Sequence, residues 1–422
     1  MKKAYMSIII LSLSLLTSSC APDRLTEQAV TPATNTTHTS TQPHTVTPTP
    51  TGTALPTQTP TVTLTHMPTI TKTPSPTPIA GGGNIAFWGL DDSKSNILYY
   101  INPETLDLIM VFDTRVLAPH KTIVWDNLLF HKWSPDGNFL SFSIYIDDIN
   151  EARLYVVDVK ANEVLHISSV ESQYSIDAYW SQSGTEIFYD DFVNRKIFIH
   201  HVNENFIKTS INNPIESGHV IGYLHNGELF ISTQESDQFI AINLHGEIIQ
   251  ESHFGRKMVE AWSNRRYSSA IFTNQYIYFS SCTDSNLIYK DCSIFKYHME
   301  STKMTEIVSE VGSDISSFSV SPKEDLLAYR ASPFINTEGW TGAGPVRVVD
   351  IKSGEILFEI GPSENPVNPD WSPDGNFLVY VSKKIENGYT QSSMLQLINR
   401  DGSESKEIVT NIEFLFLPTW SP

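Results

Sequence analysis

Among the residues able to do chemistry, three adjacent pairs of acids stand out: Asp91-Asp92, Asp147-Asp148 and Asp190-Asp191. Paired carboxylates suit a cation, a sugar hydroxyl or a proton-transfer step. With Asn150, Asn194 and backbone carbonyls nearby they could contribute to a calcium shell, but their spacing matches no calcium loop. Asp is also a good turn former, solvated at a loop tip, so neither a metal nor a cofactor is expected. A second candidate is the segment 331–345, Ala-Ser-Pro-Phe-Ile-Asn-Thr-Glu-Gly-Trp-Thr-Gly-Ala-Gly-Pro. Its Gly339, Gly342 and Gly344 supply mobility, while Phe334 and Trp340 are large apolar groups in a polar stretch. An aromatic in such a loop can bury area against a sugar face or a partner pocket at little entropic cost.

The usual catalytic signatures are missing. The sequence has no GxSxG elbow, no HExxH, no CxxC, no Walker loop and no GxGxxG after a strand pattern. Its thirteen His are scattered, and His200-His201 sit in a strand pattern that sends them to opposite faces, which precludes joint metal binding. No catalytic residue is assigned.

The elements that must position these residues are announced by a repeated turn. Trp133-Ser134-Pro135-Asp136-Gly137 returns as Trp371-Ser372-Pro373-Asp374-Gly375. Ser suits the first turn position, Pro presets φ at the second, Asp tolerates the third, and Gly accepts the unusual dihedral of the fourth. Weaker copies stand at Trp180-Ser181, Tyr223-Leu224, Trp262-Ser263, Val320-Ser321 and Trp420-Ser421, so that seven anchors recur 39 to 58 residues apart. After each turn comes an apolar strand such as Phe139 to Ile146, with Leu140, Phe142, Ile144 and Ile146 on one face, and then a second hairpin such as Leu154 to Ser168. Four-stranded units at this period stack around an axis as propeller blades.

The Trp-Ser-Pro-Asp-Gly turn with its Leu-x-Phe/Tyr strand resembles the bacterial TolB-type repeat, also called WD40-like or PD40, over roughly residues 84 to 422. The resemblance implies an all-β fold, a seven-bladed β-propeller of four-stranded antiparallel blades. Six or eight blades are the alternatives, the latter if the long 262 to 320 interval hides a degenerate unit. Glu413 to Trp420 is expected to close the ring as the innermost strand of the blade that begins at Ile85. All three acid pairs then edge the face opposite the repeated turns, and so does the 331–345 loop, unless Trp340 folds back to plug the central channel. Prolyl oligopeptidase relatives join a similar propeller to an α/β-hydrolase domain, for which no segment is evident here.

Before the repeats, Lys2-Lys3, an apolar run from Met6 to Leu16 and Thr17-Ser18-Ser19-Cys20 read as a signal peptide over 1–19 ending at a lipobox-like cysteine. Residues 20–83 are then a lipidated Cys20 and a Thr/Pro-rich disordered tether, on the order of 180 Å long if fully extended. The domain 84–422 follows. An exported protein resides where disulfides persist, so Cys282 and Cys292 are expected to pair, with two free thiols as the rival reading. The net charge of −19 makes nucleic acid an unsuitable partner. Together these readings give a monomeric, lipid-anchored extracytoplasmic propeller that binds an envelope protein or glycan without catalysis. Its rival is a carbohydrate-active lyase or hydrolase using the acids of the loop face.

Overall fold

The computed structural model describes residues 83–91, 95–117, 128–171, 176–191, 194–214, 218–223, 229–233, 238–253, 270–284, 289–301, 303–333, 342–386, 389–409 and 412–422. Cys20, the signal segment and the Thr/Pro tract lie outside them, as do Asp92, Phe334, Trp340 and the Trp262-Ser263 anchor.

The described residues form seven four-stranded antiparallel sheets. Their innermost strands are, in ring order, Glu413–Trp420, Leu128–Trp133, Tyr179–Trp180, Gly218–Tyr223, Ala270–Phe272, Ser313–Val320 and Val367–Trp371. Successive sheets touch all the way round, the fourth meeting the fifth where Gly222 lies under the Phe272 ring. Each blade is therefore covered on both faces, which is why second strands such as Phe139–Ile146 are buried on both sides while outer strands such as Leu108–Asp113 are largely exposed.

The repeated turn is one hydrogen-bonded device. In the second blade Ser134 N donates to Phe139 O at 2.8 Å, and Phe139 N donates back to Ser134 Oγ at 2.9 Å. Ser134 Oγ donates to Asp136 at 2.6 Å, and Gly137 closes the turn at φ 68°. The seventh blade repeats this with Ser372, Phe377, Asp374 and Gly375. The sixth substitutes Asp325 for the turn acid and holds Glu324 at φ 55° in place of glycine. The Trp before the serine ties blades together: Trp133 Nε1 donates to Thr419 O at 3.1 Å, and Trp180 Nε1 to Lys132 O at 3.0 Å, in each case the residue before the preceding blade's anchor Trp.

The ring closes as the pattern of its ends requires. Glu413–Trp420 pairs antiparallel with Ile85–Leu90, from Ile85↔Trp420 to Leu90↔Glu413, and completes the first sheet. Ser421 N donates to Asn84 O at 2.7 Å and Asn84 N to Ser421 Oγ at 2.8 Å. Asn84 thus makes the bonds that Phe139 and Phe377 make elsewhere, and the two ends of the propeller meet inside a copy of the repeated turn.

One expectation is corrected. The fifth blade's inner strand is Ala270–Phe272, not a strand ending at Trp262, and its turn is centred on Thr273, whose Oγ1 accepts from Tyr276 N at 3.1 Å. Thr273 does the work of the turn serine in a loop two residues shorter, without Pro, Asp or Gly. With Phe272 as the anchor, the spacings become 43 to 51 residues, and the long interval that suggested an eighth unit disappears. Cys282 and Cys292 stand directly opposite each other on neighbouring strands of that blade and are cross-linked.

Candidate functional site

The three acid pairs sit where the second strand of a blade passes to the third. Asp91 follows Ile85–Leu90, Asp147-Asp148 follow Phe139–Ile146, and Asp190-Asp191 end Glu186–Asp191. By strand direction all three edge the face away from the serine turns. Two of their carboxylates, Asp91 and Asp191, shape their own loops. Asp91 accepts from Ser95 N at 2.9 Å and pairs with Arg115 at 3.1 Å, while Arg115 holds Asp113 below the usual carboxylate range. Asp191 is buried and accepts from Asn194 N at 3.0 Å and Nδ2 at 2.8 Å.

Asp147 and Asp148 differ in being exposed. They open a single 3-10 turn ended by Asn150 at φ 51°, whose side-chain oxygen accepts from the Tyr145 hydroxyl at 3.0 Å. The three pairs belong to three separate blades. Among the described residues the only His, Cys, Asp and Glu atoms close enough to share one ion are those of Cys282, Cys292 and Asp314, and the first two are spent on the disulfide. His200 is buried against Tyr189 and Phe206 O, and His201 turns to the opposite side to reach Thr209.

The same face carries charges of the other sign, which the acid pattern did not suggest. Arg330 lies near the end of the sixth blade's second strand, Leu326–Pro333, and Lys383 near the end of the seventh's, Phe377–Glu386. Arg330 donates to Asn365 Oδ1 at 3.2 Å. Burial lowers its basicity while Asp314 opposes that effect. Lys383 is lowered by burial and then by Arg330 itself. Asp314, at the start of Ser313–Val320, is pushed up to about 6 by burial, with Arg330 pulling the other way. The signal available in the sequence was a charge placed inside an apolar strand: Leu-Leu-Ala-Tyr-Arg in one and Phe-Leu-Val-Tyr-Val-Ser-Lys in the other.

A further inner-strand acid, Asp370, ties three blades together. It accepts from Ser319 Oγ of the sixth at 2.8 Å and from Trp420 N of the first at 2.9 Å, and burial pushes it up to about 6. Three buried second-strand tyrosines each donate to a glutamate: Tyr278 to Glu324 at 2.9 Å, Tyr329 to Glu310 at 2.6 Å and Tyr380 to Glu364 at 2.9 Å.

No family model and no curated protein matches the chain by sequence. Solved structures do match. TolB from Acinetobacter baumannii is 15% identical over 81% of this chain and 67% of its own, with a TM-score of 0.49. In fold, the chain is similar to TolB. A prolyl endopeptidase is 14% identical over 77% of this chain with a TM-score of 0.52, and the chain spans 49% of that enzyme's length. Hydrazine synthase of Kuenenia stuttgartiensis is 11% identical over 67% of this chain and 80% of its own, with a TM-score of 0.45. The likeness is one of fold, and one fold hosts many activities.

Proposed function

We propose that this protein is a non-catalytic binding module for a protein or glycan of the cell envelope, held outside the cytoplasm by a lipid on Cys20. The observation that carries the reading is the contrast between the two faces of a closed ring. One face repeats a serine-centred turn whose polar groups satisfy one another, and the other, among the described residues, carries groups that differ from blade to blade, including the exposed Asp147-Asp148 pair. Connections that vary on a rigid scaffold are where binding residues gather. Trp340 and Phe334 are the apolar anchors in this reading, with Asp147, Asp148, Asp190, Asp191, Asp91 and Asp92 as the polar contacts around them.

The test uses the full chain, immobilised and exposed to a native envelope fraction. Capture of a partner that is weakened in Asp147→Asn or Asp190→Asn, with no chemical change in the partner, supports the reading. Release of cleaved or unsaturated glycan that those substitutions abolish replaces it with a carbohydrate-active enzyme. Incorporation of a labelled fatty acid, lost in Cys20→Ser, tests the anchor separately.

A further inference from the structure

A disulfide between two strands that already pair with each other can be opened without the strands parting, because the ladder holds them. Cys282 and Cys292 are placed in this way. They stand directly opposite each other in the fifth blade, with Ser281↔Ser293 and Thr283↔Asp291 paired on either side. Reduction therefore leaves two thiols side by side. Cys292 is also opposite Glu310 on the outer strand, and the face these residues share packs on the sixth blade through Ile315, Leu327 and Tyr329. Glu310 is already engaged by the Tyr329 hydroxyl and by Arg347.

A third group comes from the sixth blade. Asp314, the second residue of Ser313–Val320, is held opposite Ser332 and is 3% exposed. Its Oδ1 lies 3.9 Å from Cys292 Sγ. A disulfide sulfur carries no proton, so in the cross-linked form this buried carboxylate faces an atom with nothing to donate. The two sulfurs and a carboxylate oxygen all lie within 4.8 Å of one another. A tetrahedral zinc bound at about 2.3 Å to sulfur and about 2.0 Å to oxygen sets its sulfurs roughly 3.8 Å apart, and sulfur and oxygen roughly 3.5 Å apart. The carboxylate is near that separation from Cys292 already, and the sulfurs reach theirs once the bond between them is broken and their side chains rotate. Cys282, near the end of Tyr276–Asp284, is the partly exposed member of the set, so a thiol in solution reaches the bond from the face away from the serine turns.

We propose that reduction of the Cys282–Cys292 bond creates a zinc site, in which the two thiolates and Asp314 hold one Zn2+ between the fifth and sixth blades. The reductant is a dithiol. It gives two electrons and two protons to the disulfide and leaves as its own cyclic disulfide, and zinc then displaces the two thiol protons. Exchange with an oxidised dithiol runs the sequence backwards and releases the ion. Three protein ligands leave the fourth position of the tetrahedron open. The covalent bond joins two strands of one blade, whereas the metal joins two blades, so the redox state decides whether this junction is clamped. In the extracytoplasmic setting proposed above, the cross-linked form is the resting one.

The test uses the full chain with Cys20→Ser, which makes Cys282 and Cys292 its only thiols. The chain is reduced with a dithiol, the dithiol is removed under nitrogen, and zinc uptake is measured by competition with a chromogenic chelator. One zinc per reduced chain and none per cross-linked chain is expected, and cobalt in place of zinc should give the visible absorption of thiolate ligation. Asp314→Asn should weaken zinc binding at least about tenfold, and Cys292→Ser should abolish it. Cross-linked Asp314→Asn should melt no earlier than wild type, since the amide keeps the shape and removes a buried charge. Zinc should raise the melting temperature of the reduced chain. A blade unfolded by reduction would also expose thiols to zinc, but that binding would be indifferent to Asp314. Equal affinity in Asp314→Asn therefore overturns the proposal, as does a reduced chain that takes up no zinc, or a cross-linked chain that takes up as much. No envelope partner enters these measurements, so they stand or fall apart from the capture experiment.

Discussion

The two ends of the second strands teach different things. At one end, Ser134, Ser321 and Ser372 each accept the amide five residues ahead at 2.9 to 3.0 Å, and Ser421 accepts Asn84 N in the same way. At the other end the blades compared diverge: Asp91 pairs with an arginine, Asp191 caps an asparagine loop, Asp147 opens an exposed turn, and the second strands of the sixth and seventh blades carry Arg330 and Lys383. Repetition marks bonds that six of the seven blades use to join their first two strands. Divergence marks positions the scaffold leaves open. Substitutions at the turn end should therefore cost stability and spare binding, and those at the loop end the reverse.

The largest effect tests the scaffold as a ring. Deleting residues 413–422 removes the inner strand of the first sheet and leaves Ile85–Leu90 as a bare edge. Loss of a single cooperative unfolding transition for the whole propeller is expected, as read by calorimetry. A truncated chain that keeps the wild-type transition would show that the blades stand without closure.

Next is one serine of the turn. Ser372→Ala leaves Phe377 N without its acceptor in a buried place and should cost about 2 kcal/mol of stability while leaving partner capture unchanged. Ser134→Ala should cost a similar amount, and the two should add because they lie in different blades. A loss of binding without a loss of stability in either variant would break the division between the two ends.

The converse substitution is Trp340→Ala. Capture of the partner should weaken about tenfold, roughly 1.4 kcal/mol, with little change in melting temperature. Early melting with normal capture would make Trp340 part of the core.

The turn end was legible in the sequence because its chemistry is local. Trp-Ser-Pro-Asp-Gly contains the donor, the acceptor and the positive-φ residue within five positions, so finding the letters finds the bonds. The fifth blade escaped because Thr273 keeps the hydroxyl bond while dropping Pro, Asp and Gly: what is preserved there is one oxygen, not a string. The acid pairs were visible as letters, but their partners Arg115 and Asn194 are set by loop conformation. Arg330 and Lys383 lie 53 positions apart in the chain, and only the folded ring brings the charge of Arg330 to bear on Lys383. No local pattern carries that information.

The smallest effect is a matter of pH. Burial pushes Asp370 and Asp314 up to about 6, so the folded ring holds these protons more tightly than the unfolded chain. Their contribution to stability is present below about pH 4 and is lost as the pH rises through 6. The depressed carboxyls Asp113, Asp136 and Asp325 work in the opposite direction, but only as the pH falls below the ordinary carboxylate range. Thermal stability should therefore decline between pH 4 and 6, and decline less in Asp370→Asn. Equal slopes in the two proteins would remove Asp370 from the account.

The meeting of Asn84 with Ser421 inside a copy of the repeated turn makes the position of the chain break interchangeable. Every intact serine turn is a place where the same ring could have been cut, and a short Asp-Gly linker from Pro422 to Gly83 would restore the missing reversal. A circular permutant of residues 83–422 joined in that way and opened between Asp136 and Gly137 keeps every strand pairing while moving the N-terminal attachment point from the first blade to the second. The residues that precede the propeller could thus be joined to a chosen blade without altering a residue of the core.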